Sequence, residues 1–422
     1  MEQPNNILPV LSIVIATRNR IAYAISAIQS ILEISDPRLE LVVQDNSDSR
    51  DLEAWIVGNV FDPRLRYHYS DTPLSFIHNF DAAARLATGE YVCFIGDDDG
   101  VNPEIIEAAA WAKGENLDAL IVRQPATYIW PGAGIPSTRF TAITEGVMRV
   151  GSIDVSLKQA DMEKEMQMLV RNGGLYYLDR DLPKLYHGLV HRRCLQSVYK
   201  KTGAYFGGLS PDTYASLAIS CVAKKVMSTS YPLTISGMCK VSGSVVEGAI
   251  KRHSKKLEDA PHLRHRGEYH WCNLVPRVYC GETIWVDSSI AALRAMGRDD
   301  LVRQINLSKL AASCIDSNRG ITRPVLRGLF MGLRVMGRNP VIGVIQLIWH
   351  LLILKTASRL KFARRIWNRI LIIMGMKVVR GIHGLPNMIE ASHALSGYLK
   401  ANGYRFSDCV SRKKIELRSE QE

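Results

Sequence analysis

The stretch GEYVCFIGDDDGVNP, Gly89 to Pro103, runs from five apolar residues straight into Asp97, Asp98 and Asp99. Tyr91 to Ile95 has the β-branched and aromatic content of a strand buried on both faces. Three adjacent carboxylates at the end of such a strand repel one another unless positive charge lies among them. A divalent cation is the natural candidate, because hard cations take carboxylate oxygens. Two more polar groups end apolar runs upstream: Thr17-Arg18 after LSIVIAT, and Asp45-Asn46-Ser47 after LELVVQ. Asp and Asn in the second group also suit a plain turn. Downstream, Ser210-Pro211-Asp212 places a capping serine, a first-turn proline and an acid ahead of an apolar run, a strong helix start.

These groups need elements that hold them together. Ile21, Ile25, Ile28 and Leu32 recur at helical spacing after the first apolar run. Helical segments are also expected around Leu52–Val60, over IHNFDAAARLATG with Gly89 as its stop, and from about Pro103. Apolar runs LRYHYS and ALIVRQ supply further strands. Strand and helix thus alternate through the first 120 or so residues, which predicts a Rossmann-like α/β fold with a mostly parallel, doubly wound sheet. Ligands of such sheets sit beyond the carboxyl ends of the strands. The three polar strand ends are therefore expected to share one crevice.

In order and spacing, LSIVIATRNR, LVVQDNSDS and ATGEYVCFIGDDD resemble the family 2 glycosyltransferases, which have the GT-A fold. The resemblance extends over residues 8–240 and implies an inverting transfer of a sugar from a nucleotide-sugar, with UDP as the expected nucleotide. It places Thr17 and Arg18 at the nucleotide base, Asp45 at the uracil edge and Asn79 near the donor. In the family's metal motif, Asp98 takes the last metal-binding position and Asp99 the one after it. The motif's first aspartate falls on Gly96, a departure for which Asp97 compensates by reaching the ribose or a metal-bound water. The implied cofactor is Mn²⁺ or Mg²⁺, which neutralises the departing diphosphate as a Lewis acid. An acid at a helix start in the second half of the domain serves as base in the family, and Asp212 holds that place; His187 in LYHGLVHR falls in an acceptor-side segment. Against Asp212 stands the helix dipole, which lowers a first-turn carboxyl's pKa and weakens it as a base. Two other readings fit the same residues: a metal-dependent nucleotidyltransferase, although ATRNRIAY lacks the glycine-rich phosphate loop, and a nucleotide-sugar sensor or scaffold without turnover.

The rest of the chain differs in charge. Residues 1–240 carry 23 Lys+Arg against 27 Asp+Glu, and residues 241–422 carry 30 against 14, so the basic partner-facing part is C-terminal. A basic helical C-terminal domain over 241–422 is expected. From Arg319 to Arg380 there are 13 Lys and Arg and no acid. Nucleic-acid modules leave signatures that are absent here. Instead, Leu360, Ala363, Trp367, Ile370 and Met374 form an apolar stripe opposite Lys355, Arg359, Lys361, Arg365 and Arg369, the pattern of a helix lying on an anionic membrane surface. The apolar run Val341–Leu354 is read as too short to span a bilayer and hence buried or interfacial. The eight cysteines form no CxxC pair, and His262, His265, His270, Cys272 and Cys280 match no zinc spacing. With no leader pattern in MEQPNNILP, the expected setting is the cytoplasmic face of a membrane, with a glycan or lipid-linked acceptor.

Overall fold

The computed structural model describes residues 8–123, 126–135, 144–242, 256–373 and 381–419. Its main sheet has eight strands in the order β3-β2-β1-β4-β10-β6-β11-β9. They are β1 (Leu11–Thr17), β2 (Leu39–Asp45), β3 (Leu65–Tyr69), β4 (Tyr91–Ile95), β6 (Ala119–Val122), β9 (Leu157–Gln159), β10 (Leu189–His191) and β11 (Val226–Thr229). Strands β1, β2, β3 and β4 are mutually parallel, as the alternating helices require, and β6 pairs parallel with β11. Strand β10 runs antiparallel between β4 and β6, and β9 antiparallel at the edge. β1 and β4 are in register from Leu11↔Tyr91 to Ile15↔Ile95, so their carboxyl ends, at Thr17 and Asp97, emerge side by side.

A smaller sheet, β13-β8-β7-β12-β5, lies beside these ends. It contains β5 (Gly100–Val101), β7 (Ala126–Ile129), β8 (Val147–Arg149), β12 (Thr234–Met238) and β13 (Ile382–His383). Because β5 follows the acidic triplet directly and pairs with β12, the triplet is held between the two sheets.

Apolar cores cover both faces of the main sheet. One gathers Phe80, Phe94, Leu169, Val190 and Leu217 with residues of the later helices Gly281–Ala295, Leu307–Ser317 and Thr322–Val335. The other joins Ile13, Ile28, Val43, Tyr91 and Ile106 to Met388, Leu395 and Leu399 of the helix Met388–Ala401. Chain beyond 240 thus completes both cores, and a packing boundary at 240 is absent among the described residues. Ser26 Oγ even accepts the Met388 amide at 3.0 Å, and Ser392 Oγ donates to the Val101 carbonyl at 3.0 Å.

The apolar run near 341 also differs from expectation. It belongs to a helix, Pro340–Ile373, whose segment Pro340–Leu360 has mean hydropathy 1.7 over its most apolar stretch and is only 11% buried there. By length and composition alone this segment could cross a membrane. The apolar run ends at Leu354 because Lys355 follows, whereas the helix continues past Lys355 and Arg359 to Leu360 and beyond. The backbone of 361–373 is helical, but the side chains of Lys361, Ala363, Arg365, Trp367, Arg369 and Ile370 lie outside the described ones, as does Met374 altogether.

Candidate active site

The acidic triplet is buried, with Asp97, Asp98 and Asp99 each less than 5% exposed. The positive charge among them belongs to the protein: Arg20, three residues past β1, places Nη1 2.6 Å from Asp97 Oδ1 and Nη2 2.9 Å from Asp98 Oδ2. Thr17 Oγ1 donates to Asp97 Oδ2 at 2.6 Å, and Ser242 Oγ donates to Asp98 Oδ2. Arg20 also reaches Cys239 Sγ at 2.9 Å. Burial works against its charge, but Asp97 and Asp98 outweigh that and raise its pKa. One guanidinium does not balance both acids. Burial, partly opposed by Arg20 and reinforced by Asp98, pushes Asp97 up to about 7. Burial and Asp99 likewise raise Asp98.

Asp99 is held differently. Its Oδ1 accepts the Gly237 amide at 2.7 Å, and its Oδ2 accepts the Gly96 amide at 2.6 Å and the Tyr186 hydroxyl at 2.7 Å. His187 Nε2 lies 3.3 Å from Oδ2, close enough for charge but off the line of a good hydrogen bond. Burial alone would raise Asp99; His187, Tyr186 and the Gly237 amide overcome it and hold the carboxyl below its ordinary value. Both oxygens of Asp99, expected at the metal, bind protein donors that tie the two sheets together. Gly96 is explained by the same packing. A Cβ there would stand 2.5 Å from Tyr186 Oη and 2.9 Å from Asp99 Oδ2, so the family's first aspartate has no room.

Asp98 fits a cation better. Arg20 and Ser242 both meet it at Oδ2, and burial followed by Asp99 raises its pKa. Among the described residues no group of three or more His, Cys, Asp or Glu is placed to hold a metal.

Asp212 comes to the same place from the far end of the domain. Ser210 caps its helix, accepting the Thr213 amide at 3.5 Å, with Pro211 in the first turn. Despite the helix start, burial raises Asp212 to about 6, with His187 lowering and Asp99 raising it. The expected dipole-lowered acid is therefore replaced by one poised near neutrality. Its neighbour His187 adopts a left-handed backbone, φ 65°, unusual outside glycine, where its amide bonds the Phe94 carbonyl at 2.9 Å.

The nucleotide-side residues separate. Arg18, Asn46 and Asn79 line a cleft of about 190 Å³ with Phe76, Arg264 and His265. Asn79 Nδ2 donates to the Thr17 carbonyl at 3.2 Å, while its buried Oδ1 has no partner. Arg18 pairs with Asp48 at 3.0 Å. Asp45 does not face this cleft: it is fully buried, Oδ1 accepting the Ser47 amide at 2.8 Å and hydroxyl at 2.5 Å, Oδ2 the Tyr67 hydroxyl at 3.0 Å. The turn reading describes its position, and the adjacent Asn46, which lines the cleft, is itself tied to backbone, Nδ2 donating to the Ser70 and Thr72 carbonyls at 3.0 and 2.8 Å and Oδ1 accepting the Leu74 amide at 2.8 Å. Asp71 pairs with Arg50 at the surface. Arg20, Tyr186, Gly237, Ser242, Arg264 and His265 carried no assignment from sequence. Of these, Arg20 stood inside LSIVIATRNR and Tyr186 inside LYHGLVHR, and local spacing does not tell a buried partner from a solvated one.

Residues 12–149 match the family described as glycosyl transferase family 2. This part of the chain is similar to family 2 glycosyltransferase domains, a class whose activity is glycosyl transfer. Among solved structures, S. aureus TarS 1–349 in complex with UDP-GlcNAc is similar at 13% identity, covering 78% of this chain and 92% of that one with a TM-score of 0.43. The Pyrobaculum calidifontis mannosyltransferase PcManGT, in complex with GDP-Man and Mn²⁺, is similar at 12% identity over 82% of this chain and 88% of that one, with a TM-score of 0.36. A comparison with curated protein sequences finds no match.

Proposed function

We propose that this enzyme transfers a sugar from UDP-sugar to a hydroxyl of a glycan or lipid-linked acceptor, with inversion at the anomeric carbon. The observation that carries the proposal is the placing of Asp212, at a capped helix start, within electrostatic reach of His187 and Asp99 at the acidic end of β4. Asp212 takes the proton from the acceptor hydroxyl as its oxygen attacks the anomeric carbon. The bond from that carbon to the diphosphate oxygen breaks, and UDP leaves with the electron pair. A carboxyl of pKa about 6 is ionised enough to accept this proton near neutral pH. Arg18 and Arg264 give the cleft its positive side for the nucleotide. UDP is chosen on the family resemblance around Thr17 and the Asp45–Ser47 turn. Mn²⁺ or Mg²⁺ held by Asp98 would supply Lewis-acid neutralisation of the diphosphate. Asp97, bound to Thr17 and Arg20, fixes the cation's surroundings without binding it.

Calorimetry of UDP with and without Mn²⁺, on the wild type and Asp98→Ala, tests this. Metal-dependent UDP binding that the variant loses is the expected result. Equal binding of UDP by both proteins without metal would remove Asp98 from the donor site, and preference for another nucleotide would replace UDP.

A further inference from the structure

The helices Thr322–Val335 and Pro340–Ile373 form a hairpin that touches the core along one side. Gly343 and Leu347 face inward, Ser308 Oγ donates to the Gly343 carbonyl at 2.9 Å, and His350 Nε2 lies 3.3 Å from Asn306 Nδ2. At 3.6 residues per turn, Ile345, Ile348, Trp349 and Leu352 project from the opposite side. All four are more than half exposed, as are Met331 and Val335 on the first helix. Six large apolar side chains on one surface exceed the scattered exposure that soluble surfaces show.

The surroundings select the occupant. Arg323, Arg327, Arg334, Lys355 and Arg359 are exposed around this patch, and no acid occurs from 319 to 380. A second copy of the chain would bring two basic fields together, which repel. An anionic bilayer offers apolar depth and opposite charge at once. Although Pro340–Leu360 is long enough to cross, its inward stripe is bound to the core from Gly343 to His350, so lipid does not surround it. We propose that the hairpin seats the enzyme in plane on an anionic lipid surface, with Ile345, Trp349 and Leu352 in the acyl boundary and the arginines at the headgroups. This placement is independent of the donor and of the catalytic assignment.

Co-sedimentation of the full chain with vesicles of phosphatidylcholine alone, or mixed with phosphatidylglycerol, tests it. The wild type pellets with the mixed vesicles and at least ten-fold less with phosphatidylcholine alone. Ile345→Glu with Trp349→Glu abolishes pelleting, and Arg327→Gln and Arg334→Gln each weaken it about five-fold. Every altered side chain is exposed, and an unchanged melting temperature shows that the fold is kept. Should the variants melt lower, the mixed-lipid dependence and salt sensitivity of the wild type decide alone. Wild type that stays in the supernatant, or that binds both vesicles equally, overturns the proposal. So does sedimentation velocity showing a dimer that Trp349→Glu dissolves without any vesicle binding.

Discussion

At the scale of single residues, the site is a problem in buried charge. Asp97, Asp98, Asp99 and Asp212 are gathered around Arg20 and His187, and three of the four acids are raised, chiefly by burial. Asp212→Asn is expected to lower kcat by about 10²–10⁴ while UDP binding stays the same. In the wild type, kcat/KM rises with pH through an ionisation at about 6, where Asp212 loses its proton. A profile flat from about pH 5 to 7 would assign the base elsewhere. Arg20→Met strands two buried carboxylates and should cost about 3–5 kcal/mol at neutral pH. The sign of its pH dependence follows from Asp97. A carboxyl whose folded pKa lies above its unfolded value contributes stability that is present below the unfolded value and lost as pH rises through about 7. Removing Arg20 deepens that loss, so melting curves should bring Arg20→Met closest to wild type in acid. A deficit constant with pH would show that Arg20 acts by packing alone.

At the scale of elements, the acidic turn depends on two sheets meeting without space to spare. Gly96 ends β4 against Tyr186, and Gly237 of β12 gives its amide to Asp99. Gly96→Asp, which would restore the family's usual first metal acid, is expected to destabilise by about 1–3 kcal/mol through overpacking and to reduce turnover. Adding Tyr186→Phe, which removes the hydroxyl that blocks the new Cβ, should recover part of the stability. A double-mutant cycle measures that coupling. If Gly96→Asp instead raised activity with stability unchanged, the turn would have more freedom than this packing allows. The short strand β10 belongs to the same scale. Its three residues gain their place by pairing on both sides, with β4 and β6, so periodicity within LYHGLVHR did not reveal it.

At the scale of the molecule, the C-terminal part finishes the N-terminal one. Leu395 is fully buried in the core shared with β1, β2 and β4. Leu395→Ala should therefore cost about 2–5 kcal/mol and lower the melting of the whole chain in one transition. Two separate transitions, only one of them shifted, would show that the parts unfold independently. The sequence by itself determined the alternating strands and helices, the three polar strand ends and the capped helix start at Ser210. Apolar periodicity, turn residues and caps are local signals, so they are legible along the chain. It also showed that Asp97–Asp99 require a compensating charge, without showing its source. Only the tertiary structure decided that Arg20 supplies that charge, that Asp99 binds backbone amides and Tyr186, that Asp45 turns inward, and that Asp212 is raised rather than lowered. Each of these depends on partners brought together by folding and on the water that their packing excludes.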